Sequence, residues 1–134
     1  IMHIPMQVDY GIRALVDLAS QPDNSPVRAA DIAMRQHIPG PYLVQVLHSF
    51  QRCGFTKTRR GPLGGHYLDM DPSTITMGMV MRLLSGPVNL LGCLTDKSIC
   101  YHSLKCGQRT VWKDLEETIQ SVLDSKSIED LVGI

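Results

Sequence analysis

The stretch PYLVQVLHSFQRCGFTKTRRGPLGGHYLDM, residues 41–70, decides how the rest of the chain is read. Its first half has a helical period. Leu43, Val46, Leu47 and Phe50 recur at i, i+3, i+4 and i+7, while Tyr42, Gln45, His48, Ser49 and Arg52 face away from that stripe. Pro41 suits the first helical turn, where a missing N–H costs nothing, and Gly54 can end the helix in the left-handed region. Cys53 continues the stripe three residues after Phe50 and is expected to be a small core residue. The second half changes character. Phe55–Arg60 and His66–Met70 read as two strands around Gly61-Pro62-Leu63-Gly64-Gly65, a hairpin tip flanked by Lys57, Arg59 and Arg60.

Working upstream, Asp9 to Ser20 reads as a helix with Ile12, Leu15, Val16 and Ala19 on one face. Residues 21–26 form a polar turn, and Ala29 to Gln36 a short helix with Ile32 and Ala33 inward. A tight turn, His37–Gly40, leads into the helix from Pro41. Two short helices so joined, the second with a polar outer face, make either an ordinary helical hairpin or a helix-turn-helix. The strand pair after them favours DNA, because a basic hairpin directly after a helix-turn-helix is a wing. Glycines such as Gly64 and Gly65 let a tip approach a phosphate backbone, and arginines such as Arg59 and Arg60 suit a narrow minor groove. A nucleotide cradle would need a helix N-terminus after the tip, and a strand stands there instead. The DNA-contacting set expected is Tyr42, Gln45, His48, Arg59, Arg60, Gly64 and Gly65.

Downstream, Asp71-Pro72 turns the chain, and Thr76 caps a helix to Leu84 with Met77, Val80, Met81 and Leu84 on one face. Gly86-Pro87 breaks it. Gln108 to Asp124 is the longest helix, with Val111, Leu115, Ile119 and Val122 as an apolar seam and Trp112 beside it. A long seam outside a compact winged unit is expected to pair with a second copy. Ser127 and Asp130 form a capping box for a last short helix, 127–132. The expected fold is mostly α with a small β-wing. Residues 1–86 make a winged helix-turn-helix domain, 87–107 a cysteine-rich loop, and 108–134 the dimerisation helix with a short C-terminal helix.

At 134 residues, with 43% hydrophobic and 19% charged residues, the chain fits a single ordinary domain. No apolar run approaches the roughly 18 residues of a membrane span, and the start lacks a signal-peptide pattern. The expectation is a cytoplasmic protein with no membrane partner. Formal net charge is zero, yet its distribution is lopsided. From Arg28 to Arg60 there are six bases (Arg28, Arg35, Arg52, Lys57, Arg59, Arg60) against one acid, Asp31; from Lys113 to Asp130, six acids face Lys113 and Lys126. Such asymmetry suggests a basic binding face. No Ser/His/Asp or paired-carboxylate arrangement stands out, so an enzyme is not expected.

Residues 89–106, NLLGCLTDKSICYHSLKC, carry three of the four cysteines, Cys93, Cys100 and Cys106, spaced C-x6-C-x5-C. Thiolates are the soft ligands that iron–sulphur clusters, zinc and copper(I) select. Structural zinc usually shows C-x2-4-C pairs, which this stretch lacks. From spacing alone the readings open are an iron–sulphur cluster, a Cys3His zinc site using His102, a regulatory disulfide, or unrelated thiols.

The succession DYGIRALVDLA (9–19), DIAMRQHIPGPYLVQVL (31–47), RRGPLGGHYL (59–68), SGPVNLLGC (85–93) with its two later cysteines, and LDSKSIEDLV (123–132) resembles the IscR/NsrR-type winged-helix transcription regulators over essentially the whole chain. The resemblance implies a bacterial DNA-binding regulator, a repressor in function, that acts as a homodimer joined by the long helix on a palindromic operator. It implies an iron–sulphur cluster, [4Fe-4S] or [2Fe-2S], that senses nitric oxide, redox state or iron. Cys93, Cys100 and Cys106 match the three cluster cysteines. Asp9 matches the carboxylate that nitric-oxide-sensing members supply from the partner subunit, and its alternative role is a helix cap or dipole partner. Where some members carry a ligating histidine three residues after the last cysteine, this chain has Arg109, which cannot ligate. Val44 replaces a common Glu before Gln45, and His66 stands where a wing Tyr is common.

Overall fold

The computed structural model describes residues 3–96 and 105–134, apart from the side chains of Cys93 and Thr95. Pro5 opens the first helix, α1 (Met6–Ala19): its carbonyl accepts the amides of Val8 and Asp9 at 3.0 and 3.3 Å. The helix thus starts ahead of the apolar period, and Asp9 lies inside the first turn. The capping role for Asp9 is therefore corrected, since the cap position belongs to Pro5.

α1 buries Val8, Ala14, Leu15 and Leu18, and among them the carboxylate of Asp17, only 4% exposed. Arg35 of α2 (Ala29–Gln36) grips it with two prongs, Nε to Oδ2 at 3.0 Å and Nη2 to Oδ1 at 2.8 Å, and Gln36 adds a third donor at 3.2 Å. A buried carboxylate without such partners would be strongly destabilising, so this contact fixes α2 on α1. The same hydrogen bonding holds the Arg35 guanidinium above its usual pKa. His37, left-handed at φ 52°, closes α2, and Ile38 turns inward to 4% exposure.

After the three residues 37–39, α3 (Gly40–Cys53) begins. It buries Leu43, Val46, Leu47 and Phe50 at 3% exposure or less, as the period predicts. Gly54 ends it at φ 88°. Cys53 is a correction: it is exposed, its Sγ donating only to the Phe50 carbonyl at 3.4 Å. The chain reverses at Gly54, and Phe55, 6% exposed, brings its ring to 5.8 Å from Phe50. The aromatic takes the core space that the stripe had assigned to the thiol.

The wing is an antiparallel pair, β1 (Thr56–Arg59) and β2 (Gly65–Leu68), with Thr56 opposite Leu68 and Arg59 opposite Gly65. Val27, just before α2, exchanges two backbone hydrogen bonds with His66 at 2.8 and 2.7 Å. The wing is therefore stitched to the helix-turn-helix. Thr76 caps α4 (Met77–Ser85) as expected, accepting the Met79 amide at 3.1 Å. Next come a four-residue helix, α5 (Gly92–Thr95), and the long α6 (Gly107–Asp124). α7 (Ile128–Leu131) starts at the capping box of Ser127 and Asp130 and returns to the body, where Ile128 is fully buried. One core runs through Leu15, Leu18, Ile32, Leu43, Leu47, Phe50, Ile75, Val80 and Ile128. Among the described residues no helix is long and apolar enough to cross a membrane.

Candidate nucleic-acid interface and cysteine loop

α3 shows solvent a face whose centre is Gln45, His48 and Arg52, all exposed. At 3.6 residues per turn, Tyr42 and Val44 fall on opposite flanks, 57% and 59% exposed. Tyr42 leans on Tyr10 of α1, ring centroids 6.1 Å apart. Arg13 lies 5.2 Å from the Tyr10 ring centre and binds Asp9 at 3.2 Å. Val44, noted from sequence only as the replacement of a common Glu, is absent from the contact set expected there. Here it is water-facing.

The basic stretch is thinned by internal pairing. Arg35 is held by Asp17, Lys57 by Asp69 at 3.3 Å, and Arg28 donates to the Pro62 carbonyl at 2.9 Å. Arg59 lies 5.6 Å from the Tyr67 ring centre, which leaves its charge outward. Arg28, Arg52, Arg59 and Arg60 remain as exposed cations without an ion pair among the described residues, the Arg28 contact being to a neutral carbonyl. A count of bases could not show this, because pairing is a tertiary property.

The wing glycines have an internal cause. A side chain on Gly64, which is buried, would strike the Arg59 carbonyl, and one on Gly65, at φ 148°, would meet the Val27 backbone at 2.5 Å. Both answer to the chain's own close approach, so clearance for a phosphate is not needed to explain them. Beside them, burial lowers the pKa of His66, and its Nδ1 is buried without a hydrogen-bond partner.

Of the cysteine stretch, Cys100, His102 and the Cys93 thiol lie outside the described residues; the Cys93 backbone belongs to α5. Cys106 is partly exposed and occupies the cap position of α6. Among the described residues no three ligand-type side chains converge. Asp9 is half exposed, on α1. Along α6, Val111, Leu115 and Val122 are 63%, 36% and 57% exposed, while Ile119 is partly buried beside Ile4, Met81 and Val88.

A family model described as Rrf2, iron-dependent transcriptional regulator, matches residues 4–133. The chain is 34% identical over 123 residues to the HTH-type transcriptional regulator IscR of Aliivibrio salmonicida, covering 92% of this chain and 73% of that one. It is 33% identical over 132 residues to IscR of Yersinia pseudotuberculosis, covering 98% and 80%. Among solved structures it is similar to CymR, the global cysteine regulator of B. subtilis (TM-score 0.81, 28% identity, 98% and 96% covered). It is likewise similar to T. potens IscR (TM-score 0.77, 29% identity, 97% and 85% covered).

Proposed function

Because the chain belongs to the Rrf2 family of bacterial transcriptional regulators, we propose a DNA-binding repressor whose operator affinity is set by an iron–sulphur cluster in residues 87–107. The protein binds DNA and regulates transcription; it is not an enzyme. In the finer reading, residues 1–86 bind DNA and 108–134 join two copies. Tyr42, Gln45 and His48 read the major groove, and Arg59 and Arg60 enter the minor groove from a wing shaped by Gly64 and Gly65. Two copies meet through Val111, Leu115, Ile119 and Val122. The operator is then a palindrome with half-sites one helical turn apart or a multiple of that. The protein works in the bacterial cytoplasm.

Cys93, Cys100 and Cys106 would hold a [4Fe-4S] or [2Fe-2S] cluster, with Asp9 of the partner subunit as fourth ligand. Thiolates suit the group, and a lone carboxylate is its weak corner. When bound, such a cluster supplies an iron that nitric oxide, oxygen or iron loss can reach. Asp9 is available for the role: its pair with Arg13 is exposed and four residues apart, the kind worth about 0.5 kcal/mol or less. Cys106 stands at the cap position of α6, where the cysteine stretch meets the long helix. The observation that carries the reading is the position of the C-x6-C-x5-C stretch, between the DNA-binding body and the apolar seam of α6.

Anaerobic purification tests it. Wild type should show visible charge-transfer bands that disappear in Cys93→Ser, Cys100→Ser and Cys106→Ser and persist in Cys53→Ser. Asp9→Ala should keep the bands but lose them faster in air. A colourless protein with stoichiometric zinc sinks the cluster. The likeness to the global cysteine regulator of B. subtilis favours a second reading, a cluster-free regulator of the same fold that senses through thiols, zinc or a partner protein.

A further inference from the structure

The apex of the wing presents a residue that the cationic face does not explain. Leu63 is 88% exposed, although a leucine gains free energy by leaving water. Single exposed leucines are ordinary on protein surfaces; this one differs in how it is mounted. The Gly64 amide donates to the Gly61 carbonyl at 3.0 Å, closing a turn with Pro62 at the position its fixed φ suits. Gly61, at φ 106°, bends the chain into the apex, and Gly65 bends it out. Arg28 braces the apex from the body through the Pro62 carbonyl at 2.9 Å. Directly behind it, His66 of β2 is stitched to Val27. The result is an apolar point on a stiff mount, with Arg59 and Arg60 at its shoulder.

We infer that Leu63 is a wedge: it enters the minor groove with the wing, separates two stacked base pairs and kinks the duplex. This rests on the reading that the wing meets the minor groove. The occupant of the apolar tip is DNA because the neighbouring charges are cationic and unpaired. Leucine and proline wedges in other minor-groove proteins bend DNA by about 20–90°. Pyrimidine–purine steps unstack most easily, so the step beneath the wing should be TA or CA/TG. Leu63 thereby selects sequence without any hydrogen bond to a base.

The full chain is tested on a duplex of about 30 base pairs selected with it from a random pool. End fluorophores report bending, and 2-aminopurine sits at the step beneath the wing, located by hydroxyl-radical footprinting. Wild type should shorten the end-to-end distance and brighten the 2-aminopurine. Leu63→Ser should abolish both, weaken binding about tenfold, and leave the salt dependence unchanged. Leu63→Met should retain both signals. Neither variant should alter the melting temperature, since the side chain contributes nothing to the core. Arg60→Ala is the companion and should lose about one unit of salt slope. If it does while Leu63→Ser still bends and unstacks the duplex, the wedge is overturned and the wing reading stands. If Arg60→Ala keeps the wild-type slope, the wing reading falls and the wedge falls with it.

Discussion

α3 and α6 are both amphipathic, and they differ in what became of the apolar side. α3 hides Leu43, Val46, Leu47 and Phe50 against α1, α2 and α4. α6 has no buried residue at all and leaves Val111 63% exposed and Val122 57%. Its hold on the body is narrow, with Ile119 partly buried beside Ile4, Met81 and Val88. Arg82 pairs with Asp124 at 3.1 Å, and Glu116 accepts the Leu90 amide at 3.2 Å. The contrast teaches that a hydrophobic period tells which side of a helix is apolar, while neighbouring elements decide whether that side is covered. On the proposed reading, that uncovered seam is where a second copy packs.

The difference can be broken from either end. Phe50→Ala removes a fully buried ring and should cost about 3–5 kcal/mol of stability, read by urea denaturation; a loss under about 1 kcal/mol would mean α3 is not the covered helix. Leu115→Glu attacks the uncovered one. It should leave melting unchanged yet weaken self-association by on the order of 100-fold, the effect of an unpaired charge in an apolar interface. Sedimentation decides, and a variant that stays dimeric moves the interface elsewhere. Ile119→Glu sharpens the point: being partly buried against the body, Ile119 should disturb both melting and assembly.

Asp17→Ala tests whether the cover of α3 depends on α2 being pinned to α1. It should destabilise by about 2 kcal/mol, less than a wholly buried pair because Arg35 is 43% exposed. The smallest effect is a pH dependence in the wing. Burial lowers the His66 pKa below its ordinary 6.5, so the unfolded chain binds the proton more readily. The His66 contribution should be intact above 6.5 and decline as pH falls through that value. His66→Gln should flatten the melting temperature over that window, and an unchanged pH profile in the variant sinks the assignment.

Much of this was legible in the chain. The helices over 29–36 and near 41–52, the Thr76 cap, the Ser127–Asp130 box and the hairpin at 61–65 stand where period and turn chemistry put them. What failed to show is tertiary. Pro5 started α1 early because a helix begins where its first amides find an acceptor, and apolar spacing is silent on that. Cys53 lost its core place to Phe55 because a left-handed glycine reverses the chain one residue later. Lys57 and Arg35 left the cationic face through acidic partners 12 and 18 residues away. The tight fit of Gly65 against the Val27 backbone is invisible from the hairpin's own sequence.

The return of α7 has a mechanical meaning. The Met77 amide bonds to the Lys126 carbonyl, and the Ile128 amide to Ile75, each at 2.8 Å. Everything from α4 to the end of α6 is therefore a handle closed at its root. If a second copy packs on α6 as proposed, a pull on that helix would load this clasp, which is seated on Ile75 and Ile128, neither with any exposed surface. Such tension would arrive beneath α1, on which α7 packs and which also carries Asp9 and the ring that Tyr42 leans on.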